Sequence, residues 1–162
     1  MALVTNIQEI QSVLPFATYS DVNAIKPVFD TVEAEYVLPV LGSATLALLQ
    51  ADYPVLGTPK WAALHAKVLP VLVNIGMLQV LPQLNTKMSS GGMKKSISQD
   101  EESIKMWEFN KLCATLSDAG NRAIDALYAF LEANKATYTE WAASDNFSEF
   151  KKYFINTTDE FH

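Results

Sequence analysis

A chain of 162 residues with no break in composition is sized for one domain with a full core. Its 49% apolar and 19% charged residues leave more apolar surface than a monomer this size usually hides, which points to subunit contacts. A net charge of -6 with a pI near 4.8 speaks against nucleic-acid binding through a basic face, and the single cysteine, Cys113, excludes an internal disulfide and reads as a small core residue. From the N-terminus, MALVTNIQEI lacks the basic leader, apolar run and cleavage site of a signal peptide, so no export is expected. Thr5 followed by Gln8 gives a capping-box signal, and Ile7, Ile10 and Leu14 follow at helical spacing before Pro15, which predicts a first helix over about 6–14. Ser20 opens a longer helix whose inner face is Ile25, Val28, Phe29, Val32, Tyr36 and Val40, with Lys26, Asp30 and Glu33 falling elsewhere. Pro27 is expected to kink this helix or mark its start, Pro39 to tighten its end and Gly42 to terminate it.

Ser43 caps a shorter helical piece, and ADYPVLG reads as a loop. Thr58 as N-cap with Pro59 at the first helical position then starts a helix whose face is Trp61, Leu64, Val68, Leu72, Ile75 and Gln79, with a bend expected at Pro70. Within it, residues 68–86 carry no charge, but Pro70, Asn74, Gly76, Gln79, Pro82 and Gln83 interrupt the run, so it does not read as a membrane span. Further on, Ser98 and Glu101 form another capping box, and Phe109, Leu112, Cys113, Leu116, Gly120, Ala123, Leu127, Phe130 and Leu131 predict one unbroken helix over about 100–133. Small residues at Ala119, Gly120 and Ala123 would let another helix approach closely. The remaining tail is aromatic-rich, with short helical fragments.

Charge runs acid, base, acid along the chain. Residues 53–99 hold no Asp or Glu but five lysines, at 60, 67, 87, 94 and 95, whereas both flanking regions are net acidic. Three of those lysines sit in LNTKMSSGGMKKSIS, residues 84–98, between two predicted helices. Gly91-Gly92 supports the positive backbone angles of a tight hairpin turn, so a two-stranded ribbon is one reading and a solvated loop the other. An isolated hairpin is marginal in water, so an ordered ribbon would need neighbouring copies or a partner. The candidate interaction residues are Lys87, Met88, Gly91, Gly92, Met93, Lys94 and Lys95.

The two histidines, His65 and His162, are too far apart for a metal motif, and His65 among apolar neighbours reads as structural. SSGG lacks the flanking strand and Gly-Lys-Ser/Thr of a phosphate-binding loop. Glu33 and Glu35 do not share a helix face, and Asp100, Glu101 and Glu102 fit a helix N-terminus, where the dipole favours acids. No enzymatic activity, cofactor or metal is expected. The fold class is all-α: a bundle of about four to six helices with one long helix in the C-terminal half and a protruding loop or β-hairpin at about 84–98.

The stretch VFDTVEAEYVLPVLGSATLALL, residues 28–49, resembles an uncharacterised family carried by Bacteroidetes phages and prophages. It also resembles, more distantly, the all-helical head-to-tail connector (adaptor) proteins of tailed phages. The apolar helix 59–82, the glycine loop, ALYAFLEANKATYTEW (126–141) and FINTTDEF (154–161) match the same pattern in order. The resemblance implies a virion structural protein of the neck, a ring of about twelve copies between portal and tail. Its partners would be itself, the portal protein and tail or further neck proteins, with DNA only as a channel passenger and no membrane. Its location would be the virion, and the host cytoplasm before assembly. On this pattern residues 1–141 form the helical connector-like domain with its protruding loop, and 142–162 a tail segment for docking. The alternative is a cytosolic helical protein-binding or regulatory module without catalytic activity.

Overall fold

A computed structural model describes residues 3–15, 22–84, 86–89, 92–95 and 106–144 of the chain, with side chains over 3–15, 25–81 and 107–144. The capping box predicted at Ser98 and Glu101, the start of the long helix at about 100 and the tail beyond 144 lie outside these residues. The described fold is all-α. Helix α1, Ile7–Val13, opens one residue later than Thr5 and Gln8 predict. Asn6 is its cap: the Asn6 side chain accepts from the Glu9 N–H at 2.9 Å, and the Glu9 carboxylate accepts from the N–H groups of Thr5 and Asn6. Gln8 cannot take this role, because the residue three beyond the actual cap is Glu9.

Helix α2, Val22–Val32, carries Pro27 in its interior. It continues through a wider turn, Glu33–Val37, in which the Leu38 N–H reaches back five residues to the Glu33 carbonyl. This π turn directly precedes Pro39, whose ring would meet the carbonyl four residues back in a regular α-helix. The extra residue moves the inner face along by one position. Val37 is therefore fully buried and Tyr36 is 36% exposed. Glu33, predicted to lie off the inner face, is buried for a different reason: it stands four residues after Phe29, on the same face at ordinary helical spacing. Helix α3, Leu38–Asp52, is broken at Gly42, which sits at φ 73° and ψ 158°. Only glycine adopts that backbone readily, so the predicted stop at Gly42 holds as a kink between two helical pieces.

Helix α4, Pro59–Leu84, is uninterrupted across Pro70. Thr58 supplies the carbonyl that accepts from the N–H groups of Trp61 and Ala62, and its hydroxyl donates to Asp52 at 3.1 Å, which ties the start of α4 to the end of α3. The predicted stripe on α4 is too narrow. Residues 71–77 are all buried, because α4 is the central helix, with α1, α2, α3 and α5 against it. Helix α5, Met106–Ala133, runs alongside it. Its buried residues are Leu116, Gly120, Ile124, Leu127 and Leu131, so Ile124 and not Ala123 holds the centre of the face. Helix α6, Thr139–Ala142, packs on α3.

Two glycines set the spacing around α4. A Cβ on Gly76 would lie 2.6 Å from the Phe29 ring of α2, and a Cβ on Gly120 would lie 2.7 Å from Ile75 of α4. The close approach predicted at Gly120 is thus observed against α4. Two runs, Ile25–Asp52 and Pro59–Leu81, are long and apolar enough to cross a membrane by length and composition alone. In α4 the same apolar residues make up much of the core, including Leu64, Val68, Val71, Leu72 and Val73. Between α4 and α5, the backbone of Thr86–Ser89 (β1) pairs antiparallel with Gly92–Lys95 (β2).

Candidate functional site

The residues singled out from the sequence fall on this strand pair. Lys87 and Met88 belong to β1, and Gly92, Met93, Lys94 and Lys95 to β2, while Gly91 lies outside the described residues. The register pairs Lys87 with Lys94, Met88 with Met93 and Thr86 with Lys95. Strand β1 follows α4 directly and lies against its end. One rung therefore brings two lysines into register within a stretch that holds no acid from residue 53 to 99.

Two polar clusters that the sequence does not announce hold the ends of the described chain. At the N-terminal end, Leu3 is gripped through its backbone. Its N–H donates to Glu33 Oε2 at 2.9 Å, and its carbonyl lies 2.8 Å from His65 Nε2. Gln50 Nε2 donates to the other Glu33 oxygen, and the His65 ring stacks on Tyr53 with centroids 5.1 Å apart. The Tyr53 hydroxyl donates to Glu9 at 3.0 Å, which leaves the Thr5 hydroxyl, 2.7 Å away, to donate in turn to Tyr53. Burial, reinforced by the Glu9 carboxylate, pushes the Tyr53 phenol up to about 12, so it stays a donor across the working pH range. Burial also raises Glu33 above the usual carboxylate range, against the lowering pull of the Leu3 N–H and Gln50. His65, expected to be structural, is indeed buried and bonded to the backbone.

At the C-terminal end, the Trp141 indole donates to the Val40 carbonyl at 2.8 Å, and the Tyr138 hydroxyl donates to the Lys60 carbonyl at 2.8 Å. The Lys60 ammonium lies 4.5 Å from the Trp61 ring centroid, 5.3 Å from that of Tyr138, and 3.2 Å from Glu140. The Glu140 backbone N–H and this ammonium hold the Glu140 carboxyl below its usual range. Neither cluster has a signature in one dimension, since the bonds of the first reach residues up to 62 positions apart and those of the second residues 78 to 101 apart. The sequence signal was the aromatic run around Tyr138 and Trp141, since Glu33 is one of several charged residues on its helix.

Chemically, Glu33 and His65 both bind the backbone of one residue of the chain itself, so their arrangement serves to fasten the N-terminal segment. Among the described residues, no group of three or more His, Cys, Asp or Glu side chains could hold a metal ion. The helical bundle with a short strand pair between its two longest helices defines the class. The chain belongs to a family of unknown function, DUF6712, whose model matches residues 28–151, from the second half of α2 through α6. Neither the curated proteins nor the solved structures include a match to the chain.

Proposed function

We propose that this chain is a virion structural protein, a head-to-tail connector subunit that assembles as a ring between portal and tail. The observation that carries the reading is the register of Lys87 with Lys94. Like charges on one rung weaken an isolated ribbon, and a two-stranded ribbon is marginal by itself. With no acid between residues 53 and 99, the balancing charge comes from elsewhere. The acidic regions 1–52 and 100–162 of a neighbouring copy, or the portal, supply it. Ring contacts are heterologous, so a basic middle on one copy meets an acidic surface on the next, and this complementarity fixes the register of assembly. In this reading the 84–98 ribbon protrudes and is the connecting element, the long helices α4 and α5 form the wall, and DNA is only a passenger in an acidic channel.

The test is light-scattering mass across a concentration series, alone and with portal protein, with negative-stain images of the largest species. Rings are expected. The triple substitution Lys87→Glu, Lys94→Glu and Lys95→Glu is expected to abolish them while leaving the helical circular dichroism intact. Unchanged assembly of that variant would remove the ribbon from the mechanism. A species that stays monomeric or dimeric even with portal would instead support the helical protein-binding or regulatory module.

A further inference from the structure

The outer half of α3 lacks the polar face a surface helix needs. After the break at Gly42, the exposed residues of this half are Ser43, Ala44, Ala47, Leu48 and Ala51, none of them charged, and Leu48 is 41% exposed. The opposite side, Thr45, Leu46 and Leu49, is already in the core. A helix that is apolar on both sides is normally covered on both. The described part of the chain ends against the same helix: α6 packs on α3, and its Trp141 indole is bonded to Val40, two residues before the break. Beyond Ser144 the sequence continues DNFSEFKKYFINTTDEFH. Phe147, Phe150 and Phe154 recur at i, i+3 and i+7, the spacing of one helix face, whereas Glu149 and Lys152 fall on the opposite side. The outer half of α3 is about 15 Å long at 1.5 Å per residue. From the Val40 end, the residues that follow Ser144, at up to about 3.5 Å each, are enough chain to run along a helix of that length.

We infer that the outer face of α3, formed by Ala44, Ala47, Leu48 and Ala51, is the seat of the chain's own segment 145–162, whose phenylalanines cover it. The alanines let the aromatic rings approach the helix backbone, and Leu48 packs among them.

Lys151 and Lys152 put a tryptic site in the middle of the segment, so the full-length protein reports on its own docking. Limited trypsin digestion followed by mass spectrometry is expected to show cleavage there about tenfold slower in the wild type than in Leu48→Glu, as expected for a site that must open before it is cut. Phe150→Ser should show the same acceleration from the other side of the contact. Leu48 is partly exposed, so Leu48→Glu leaves the core in place, which circular dichroism verifies. Equal cleavage rates in wild type and both variants would overturn the assignment. Protection that appears only as protein concentration rises would also overturn it, by assigning the face to a second copy.

Discussion

Around α4 the neighbouring helices are held by shape, whereas the N-terminal segment, whose Leu3 and Val4 side chains are also in the core, is held by buried hydrogen bonds as well. Phe29 lies on Gly76 and Ile75 lies on Gly120, in contacts tight enough that a single added Cβ would come within 2.6 to 2.7 Å of its neighbour. At Leu3 the fastening atoms are instead a carboxylate, an imidazole and the backbone between them. The first kind of contact depends on volume and is indifferent to pH. The second depends also on the Glu33 carboxyl, whose hold on its proton burial strengthens. One half of the molecule should therefore respond to methyl groups and the other to protons.

The largest effect is expected where shape alone decides. Gly76→Ala gains about 1 kcal/mol of helix propensity but drives its Cβ into the Phe29 ring, which is fully buried and has no exposed side to move toward. The net loss should be about 2 kcal/mol, within the range of overpacked cores, read as a lower urea midpoint with an unchanged slope. Adding Phe29→Leu should recover part of it, because the two sites are in contact and their effects should not add. If the double variant is as unstable as the sum of the two singles, the ring is not what the new methyl meets.

Much of this shape-held half is legible in the sequence. The α4 start at Thr58 and Pro59, the break at Gly42 and the small residue at Gly120 are local signals, each with a backbone reason that one residue type satisfies. The inner face of α2 was misread after Val32, because a π turn inserts one residue and no local pattern marks it except Pro39 downstream. The width of the buried face on α4 was also missed. Periodicity finds one stripe, while a central helix is covered from several sides at once. The polar clasp was not legible at all, since Leu3, Glu33, Gln50, Tyr53 and His65 acquire their roles only when four segments of the chain converge. Of the candidate site, the basic composition and the glycine pair could be read, and the pairing of Lys87 with Lys94 could not, because register depends on where the turn falls.

A smaller effect is expected in the clasp. His65→Leu keeps the volume roughly constant but removes the hydrogen bond to the Leu3 carbonyl and the stack on Tyr53. The loss should be about 1 kcal/mol and should be local, because the Glu33 contact to the Leu3 N–H survives. Hydrogen exchange should therefore quicken at the α1 amides, Ile10 to Leu14, while those at the centre of α4 and α5 change only as much as global stability does. Equal acceleration everywhere would mean that His65 supports the whole bundle and not the N-terminal segment.

The smallest effect, and the one that separates the two halves most cleanly, is a slope with pH. Burial raises the Glu33 carboxyl above its ordinary value, so the folded protein holds this proton more tightly than the unfolded chain does. The contribution of Glu33 to stability is therefore complete below the unfolded value of about 4.5. It declines as pH rises through the folded pKa and is flat above it. Glu33→Gln removes this titration. The amide cannot accept from both the Leu3 N–H and Gln50, so the variant carries a cost at every pH, but that cost should shrink relative to wild type as pH rises from about 4 to about 7. Urea midpoints of the two proteins measured across that range should converge, whereas those of wild type and Gly76→Ala should run parallel. A constant gap between wild type and Glu33→Gln would mean that the hydrogen bonds from Leu3 and Gln50 fully offset the burial of the carboxylate and that Glu33 folds as an ordinary ionised acid.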